Sequence, residues 1–142
     1  MILRPGGKFA PLPALLALVV SLSLLAAACG GSSKPDYCSN VGDLEGSVEE
    51  LGSVKLESGA LETVRTDLEE IRTNAEAVVS SAKEEFPSEI GAVKSSVSRL
   101  AAAVEALPPA PTAQELVALG AAVQRTVTAS KELAEATESA CD

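Results

Sequence analysis

Apolar residues recur between Tyr37 and Thr137 at alternating spacings of three and four, the pattern of helices that each turn one stripe toward a core. Tyr37, Val41, Leu44, Val48 and Leu51 form the first stripe and predict a short first helix, capped by Ser39 or Asn40, in which Gly42 and Gly46 lower the intrinsic propensity. The second stripe is unbroken over three heptads: Leu61, Val64, Leu68, Ile71, Ala75, Val78 and Ala82. Its other faces carry Asp67, Glu70 and the pairs Arg65/Glu69 and Arg72/Glu76, each spaced four apart as helical ion pairs require. Phe86-Pro87 ends that helix, and Pro87 suits the first turn of the next, whose stripe is Ile90, Val93, Val97, Leu100, Val104 and Leu107. Pro108-Pro109-Ala110-Pro111 is a stiff break. Thr112-Ala113-Gln114-Glu115 then matches a capping box, followed by Leu116, Leu119, Val123, Val127, Ser130, Ala134 and Thr137. No useful length alternates with period two, so the predicted class is all-α.

Residues 1–28 have a different character. Arg4 and Lys8 make a positive start, an apolar stretch runs from Leu12 to about Leu25, and Ala26, Ala27 and Ala28 supply small residues, the three parts of a secretory signal. Without a twin-Arg pair the general secretory route is expected. Pro13, Ser21 and Ser23 interrupt the apolar run and leave it marginal as a permanent span.

Leu24-Leu25-Ala26-Ala27-Ala28-Cys29-Gly30-Gly31 resembles the lipobox of bacterial lipoproteins, in which small residues precede a cysteine that is acylated before the leader is removed. By that resemblance Cys29 becomes the lipidated first residue of the mature protein, anchored to the outer face of the cytoplasmic membrane through its acyl chains. Two or more chains hold firmly, since each buried methylene contributes about 0.8 kcal/mol. Ala26 stands where the family usually has Leu, and Ala26-Ala27-Ala28 also fits ordinary signal peptidase, whose product would be secreted. Residues 29–36 read as the lipidated cysteine and a flexible polar tether, leaving 37–142 as the helical domain.

An odd count of three cysteines invites mispairing outside the cytoplasm. If Cys29 is lipidated as the lipobox implies, Cys38 and Cys141 remain as a disulfide in an oxidising compartment. That pair bears on topology. Helix through residues 52–59 would merge the first two stripes into a rod of about 70 Å and a three-helix bundle, with the chain ends at opposite poles. A disulfide needs Cα atoms within about 7 Å, which selects an antiparallel four-helix bundle; Gly52, Ser53, Ser58 and Gly59 are break residues that agree.

Composition excludes more than it assigns. The 142 residues contain no His, which removes Ser-His and Cys-His nucleophile pairs and His-containing zinc and di-iron sites. Of 11 basic residues, Arg4 and Lys8 leave with the leader, so the mature part sets 9 against 20 acids, a net charge of −11. That opposes nucleic acid as a partner and disfavours a peripheral grip on anionic lipid. Glu49-Glu50, Glu69-Glu70 and Glu84-Glu85 are adjacent on helices, point about 100° apart and cannot share a proton or a metal. There is no glycine-rich phosphate loop and no G-x-S-x-G elbow; Gly42-Asp43-Leu44-Glu45-Gly46 fits G-x-x-x-G but lies in an amphipathic segment.

In pattern the chain also resembles small exported helical proteins of actinobacteria that have a cysteine near each end of an Ala/Val-rich bundle, through Tyr37-Cys38-Ser39 and Cys141. That resemblance implies a context and no site. The expectation is a non-enzymatic, cofactor-free envelope lipoprotein that acts as a structural or adaptor bundle docking an envelope protein. The alternative is a carrier that parts its helices around a lipid or another small apolar ligand.

Overall fold

Each of the four apolar stripes becomes a helix. In the computed structural model, residues 34–57 and 59–142 are described; the expected leader 1–28, the lipidation site Cys29 and the start of the tether lie outside them. The helices are α1 (Asp36–Ser53), α2 (Leu61–Ala82), α3 (Pro87–Glu105) and α4 (Ala113–Cys141), and the described residues include no strand. They pack as a ring of four seams, α1 on α2, α2 on α3, α3 on α4 and α4 on α1, with α2–α3 the most sparsely packed.

The start of α1 differs from expectation. Pro35 occupies the N-cap position and Asp36 opens the helix, where its charge complements the helix dipole. Ser39 and Asn40 lie inside α1: Ser39 donates to the Asp36 carbonyl at 3.1 Å, and Asn40 Nδ2 donates to Ser81 Oγ on α2 at 3.0 Å. The other end also runs further than the break residues imply. Gly52 and Ser53 stay helical, Ser53 donating to the Glu50 carbonyl at 2.7 Å, and the chain turns extended only at Val54. At 18 residues α1 is one residue shorter than α3, so it is not distinctly short. Residues 52–59 are not continuous helix, and the four-helix count stands.

The buried residues of α2 are Leu61, Val64, Leu68, Ile71, Ala75, Val78 and Ala82, the predicted stripe entire. Pro87 sits in the first turn of α3. Thr112 and Glu115 form the capping box, the Glu115 carboxylate accepting from the Thr112 N–H at 2.7 Å and Thr112 Oγ1 from the Glu115 N–H at 3.3 Å. On α4 the stripe needs correction: Leu119, Val123, Ser130 and Thr137 are buried, but Leu116, Val127 and Ala134 are only half-buried, and Ala122, Thr126, Ala129 and Leu133 join the core. Over 29 residues a straight helix drifts about 20° per heptad from a strict seven-residue repeat, and α4 packs against both α1 and α3, so its buried arc is wider.

The core is filled by Leu44, Leu51, Ile71, Leu100, Leu119 and Leu133, with Val48, Val64, Val78 and Val93 between them. Alanines at 75, 82, 101, 122 and 129 let the helices approach. Ser47, Ser96, Thr126 and Thr137 are buried without cost in lost hydrogen bonds, because each hydroxyl donates to a carbonyl three or four residues earlier at 2.9–3.2 Å.

Gly42 and Gly46 lie exposed on α1, and a Cβ built on either meets no atom within 4 Å. Their G-x-x-x-G spacing therefore brings no helix close. Replacing both by Ala is expected to stabilise the protein by about 0.4–1 kcal/mol per site, which thermal unfolding will read as a higher Tm. A lower Tm would mean that these glycines serve a contact the fold does not contain.

Candidate functional site

Chemistry-bearing residues collect at one pole and along the seams. Cys38, in the first turn of α1, is bonded to Cys141, the last residue of α4, with the Cα atoms 5.5 Å apart and a sequence separation of 103. Both half-bury against the core. Lys34 Nζ donates to the Cys141 carbonyl, placing a cation at the otherwise unmet carbonyl end of α4. Tyr37 and Phe86 meet edge to face at the same pole, ring centres 5.5 Å apart, so the α2–α3 turn also lies there. Burial first, and then Glu85, pushes the Tyr37 phenol up from its ordinary pKa.

The α2–α3 seam opens into a groove of about 760 Å³ floored by Val79, Val97 and Ala101. The sequence spacing points Arg72 at Glu76, but Arg72 bonds backward to Glu69 at 3.1 Å and across the groove to Glu105 at 3.0 Å. Its guanidinium is held above the ordinary pKa, chiefly by the Glu105 hydrogen bond. Arg65 likewise turns to Glu62, at 4.0 Å, rather than to Glu69. All three pairs are exposed and contribute little to stability.

On the α1–α2 seam, Asp67 Oδ2 is buried without a hydrogen-bond partner, although the residue as a whole is half-buried. Burial first, and then the nearby charge of Glu50, raises its pKa above the ordinary carboxylate value. Individual stripes do not reveal this pair, because Asp67 and Glu50 face each other only once α1 and α2 are docked. A second groove, of about 440 Å³, lies between α3 and α4 and has Arg99 and Arg125 in its wall. The legible signal for it is an absence, since no acid occurs in residues 90–104 or 116–131.

Cys38 and Cys141 are thus brought together, while Cys29 lies outside the described residues. Among the described residues no cluster of three or more Cys, Asp or Glu could hold a metal ion, and no helix is long and apolar enough to cross a membrane. No protein-family model, curated protein or solved structure matches this chain.

Two measurements follow from this geometry. Closing a loop of this length limits the unfolded chain, so reduction, or Cys141→Ser, is expected to cost about 2–5 kcal/mol in a denaturant titration; an unchanged midpoint would contradict it. Asp67 holds its proton more tightly folded than unfolded. Its contribution is therefore fully present below the unfolded carboxylate range and is lost as pH rises through the raised folded value. Asp67→Asn should accordingly be more stable than wild type at neutral pH, the advantage shrinking as pH falls. A pH-independent difference between the two would refute the assignment.

Proposed function

We propose that this protein is a non-enzymatic, membrane-anchored lipoprotein of the cell envelope whose helical bundle serves as a structural or adaptor module for an envelope partner. The proposal includes the antiparallel course of the helices. Support for that course comes from contacts whose numbers run in opposite directions: along α1, Asn40 meets Ser81 and the later Ser47 meets the earlier Asn74 of α2, while Cys38 bonds Cys141 and the later Gly52 lies beside the earlier Val127 of α4.

The observation that carries the reading is the clasp at one pole. The chain enters the bundle at Lys34–Asp36 and leaves it at Cys141, and the disulfide and the Lys34 contact tie entry to exit. An acylated Cys29, five residues before Lys34, then fastens this pole to the membrane and leaves the far end free. Val117, 74% exposed, is the one large apolar side chain so exposed among the described residues. It lies 24 residues before Cys141, about 36 Å along α4, in the helix that follows the exposed Pro108, Pro109 and Ala110 in sequence. An apolar surface on the free pole suits docking. The filled core weighs against the carrier alternative, since a ligand would have to displace fully buried leucines while the disulfide restrains the helices.

Two tests address anchor and docking separately. Cys29→Ala is expected to move the protein from the membrane fraction to the soluble exported fraction; continued retention would overturn the anchor. A photo-crosslinker at Val117 in cells should yield one discrete protein adduct, absent when placed at exposed Asp43 on α1. A lipid-sized adduct on the protein released from membranes, with no polypeptide captured, would instead favour the carrier.

A further inference from the structure

The charges of this acidic protein are unevenly placed. α1 carries Asp36, Asp43, Glu45, Glu49 and Glu50 with no Lys or Arg, and both arginines of α2 are engaged with Glu62, Glu69 and Glu105. The central stretches of α3 and α4 are the reverse: residues 90–104 and 116–131 contain Lys94, Arg99, Arg125 and Lys131 and no acid. Two of these four, Arg99 from α3 and Arg125 from α4, line one open groove of about 440 Å³. Neither has a carboxylate within ion-pair distance among the described residues.

Ser95 and Gln124 line the same groove, and their side chains donate to no other group among the described residues. Given the antiparallel course proposed above, on which this point rests, Arg99 and Arg125 stand at one level across the seam, and Glu132 lies toward the opposite end of the groove. Two unneutralised guanidiniums on adjoining helices repel each other, and a shared anion converts that repulsion into attraction. A phosphate group matches them better than a carboxylate. It carries nearly two negative charges and three acceptor oxygens, enough for both planar forks and for a hydroxyl or amide donor besides.

We propose that the α3–α4 groove is a binding site for a phosphate group, held by Arg99 and Arg125 with Ser95 and Gln124 completing the donors. The groove is of the size that small ligands occupy, and its open side admits either a soluble phosphomonoester or a phosphomonoester lipid headgroup.

The test uses the full chain, isotopically labelled and held in neutral detergent, titrated in one arm with inorganic pyrophosphate and in the other with short-chain phosphatidic acid, a phosphomonoester lipid, below its micellar concentration. Saturable shifts of the Ser95 and Thr128 amides are expected. Arg99→Gln and Arg125→Gln should each weaken binding by about tenfold or more, Glu132→Gln should tighten it, and Arg65→Gln on α2 should leave it unchanged. Binding of pyrophosphate alone identifies a soluble ligand, and binding of the lipid as well identifies a headgroup. The proposal is overturned if neither saturates by about 10 mM or if Arg65→Gln weakens binding as much as the groove variants do. A nuclear Overhauser contact between the Ala92 and Ala129 methyls checks the helix course independently of any ligand.

Discussion

The bond between Cys38 and Cys141 is the constraint on which the rest of this structure depends. It ties the first turn of α1 to the last residue of α4 and so closes the ring of four seams where the chain itself cannot. The core it closes is modest in side-chain size, built of Leu, Val and Ala with one Tyr–Phe contact. A core of that kind is close-packed but small, and loop closure contributing up to about 4.7 kcal/mol is comparable to the whole net stability of many domains. The same bond has a geometric consequence. Entry and exit of the folded unit share one pole, with the Lys34 cation at the carbonyl end of α4.

Polar residues divide into those the helices satisfy alone and those that need a neighbouring helix. Ser47, Ser96, Thr126 and Thr137 return their hydroxyls to their own backbone, which makes buried polarity inexpensive in a tightly spaced bundle. Asn40 and Asn74 on the α1–α2 seam instead bond across to Ser81 and to Ser47 with the Asp43 carbonyl, which fixes the register of that seam. Two groups fit neither set: the buried Ser130 hydroxyl on α4 has no partner, and Asp67 on the α1–α2 seam has a carboxyl oxygen without a donor beside an acidic helix. Acidity concentrated on α1 and α2 is thus felt inside the fold as well as at its surface, whereas residues 90–104 and 116–131 of α3 and α4 carry four basic residues and no acid.

Much of this was legible in the sequence wherever one helix decides the outcome alone. The α1 and α2 stripes, Pro87 at a first turn and the Thr112–Glu115 capping box are local patterns with local causes, and the structure contains each. The cap of α1 was not legible, because Ser39 and Asn40 have good capping chemistry but Pro35 and Asp36 start the helix before them. The partners of Arg72 were not legible either. Spacing alone offers Glu76, and only the docking of α3 brings Glu105 within 3.0 Å. The grooves and the Asp67 environment depend on how two helices are rotated against each other, which a stripe constrains only to within its own width. On the two-faced α4 that width is largest, and there the predicted stripe and the buried set diverge most.

The central claim is that Cys38 and Cys141 clasp the bundle while Cys29 is left for the anchor. Proteolytic mapping of the unreduced protein taken from its own membranes, read by mass spectrometry, tests it most directly. The account predicts one disulfide-linked pair of peptides containing Cys38 and Cys141, separating on reduction, and an N-terminal peptide beginning at Cys29 with the mass of its acyl chains. A disulfide that includes Cys29, or free thiols at both Cys38 and Cys141, would contradict it.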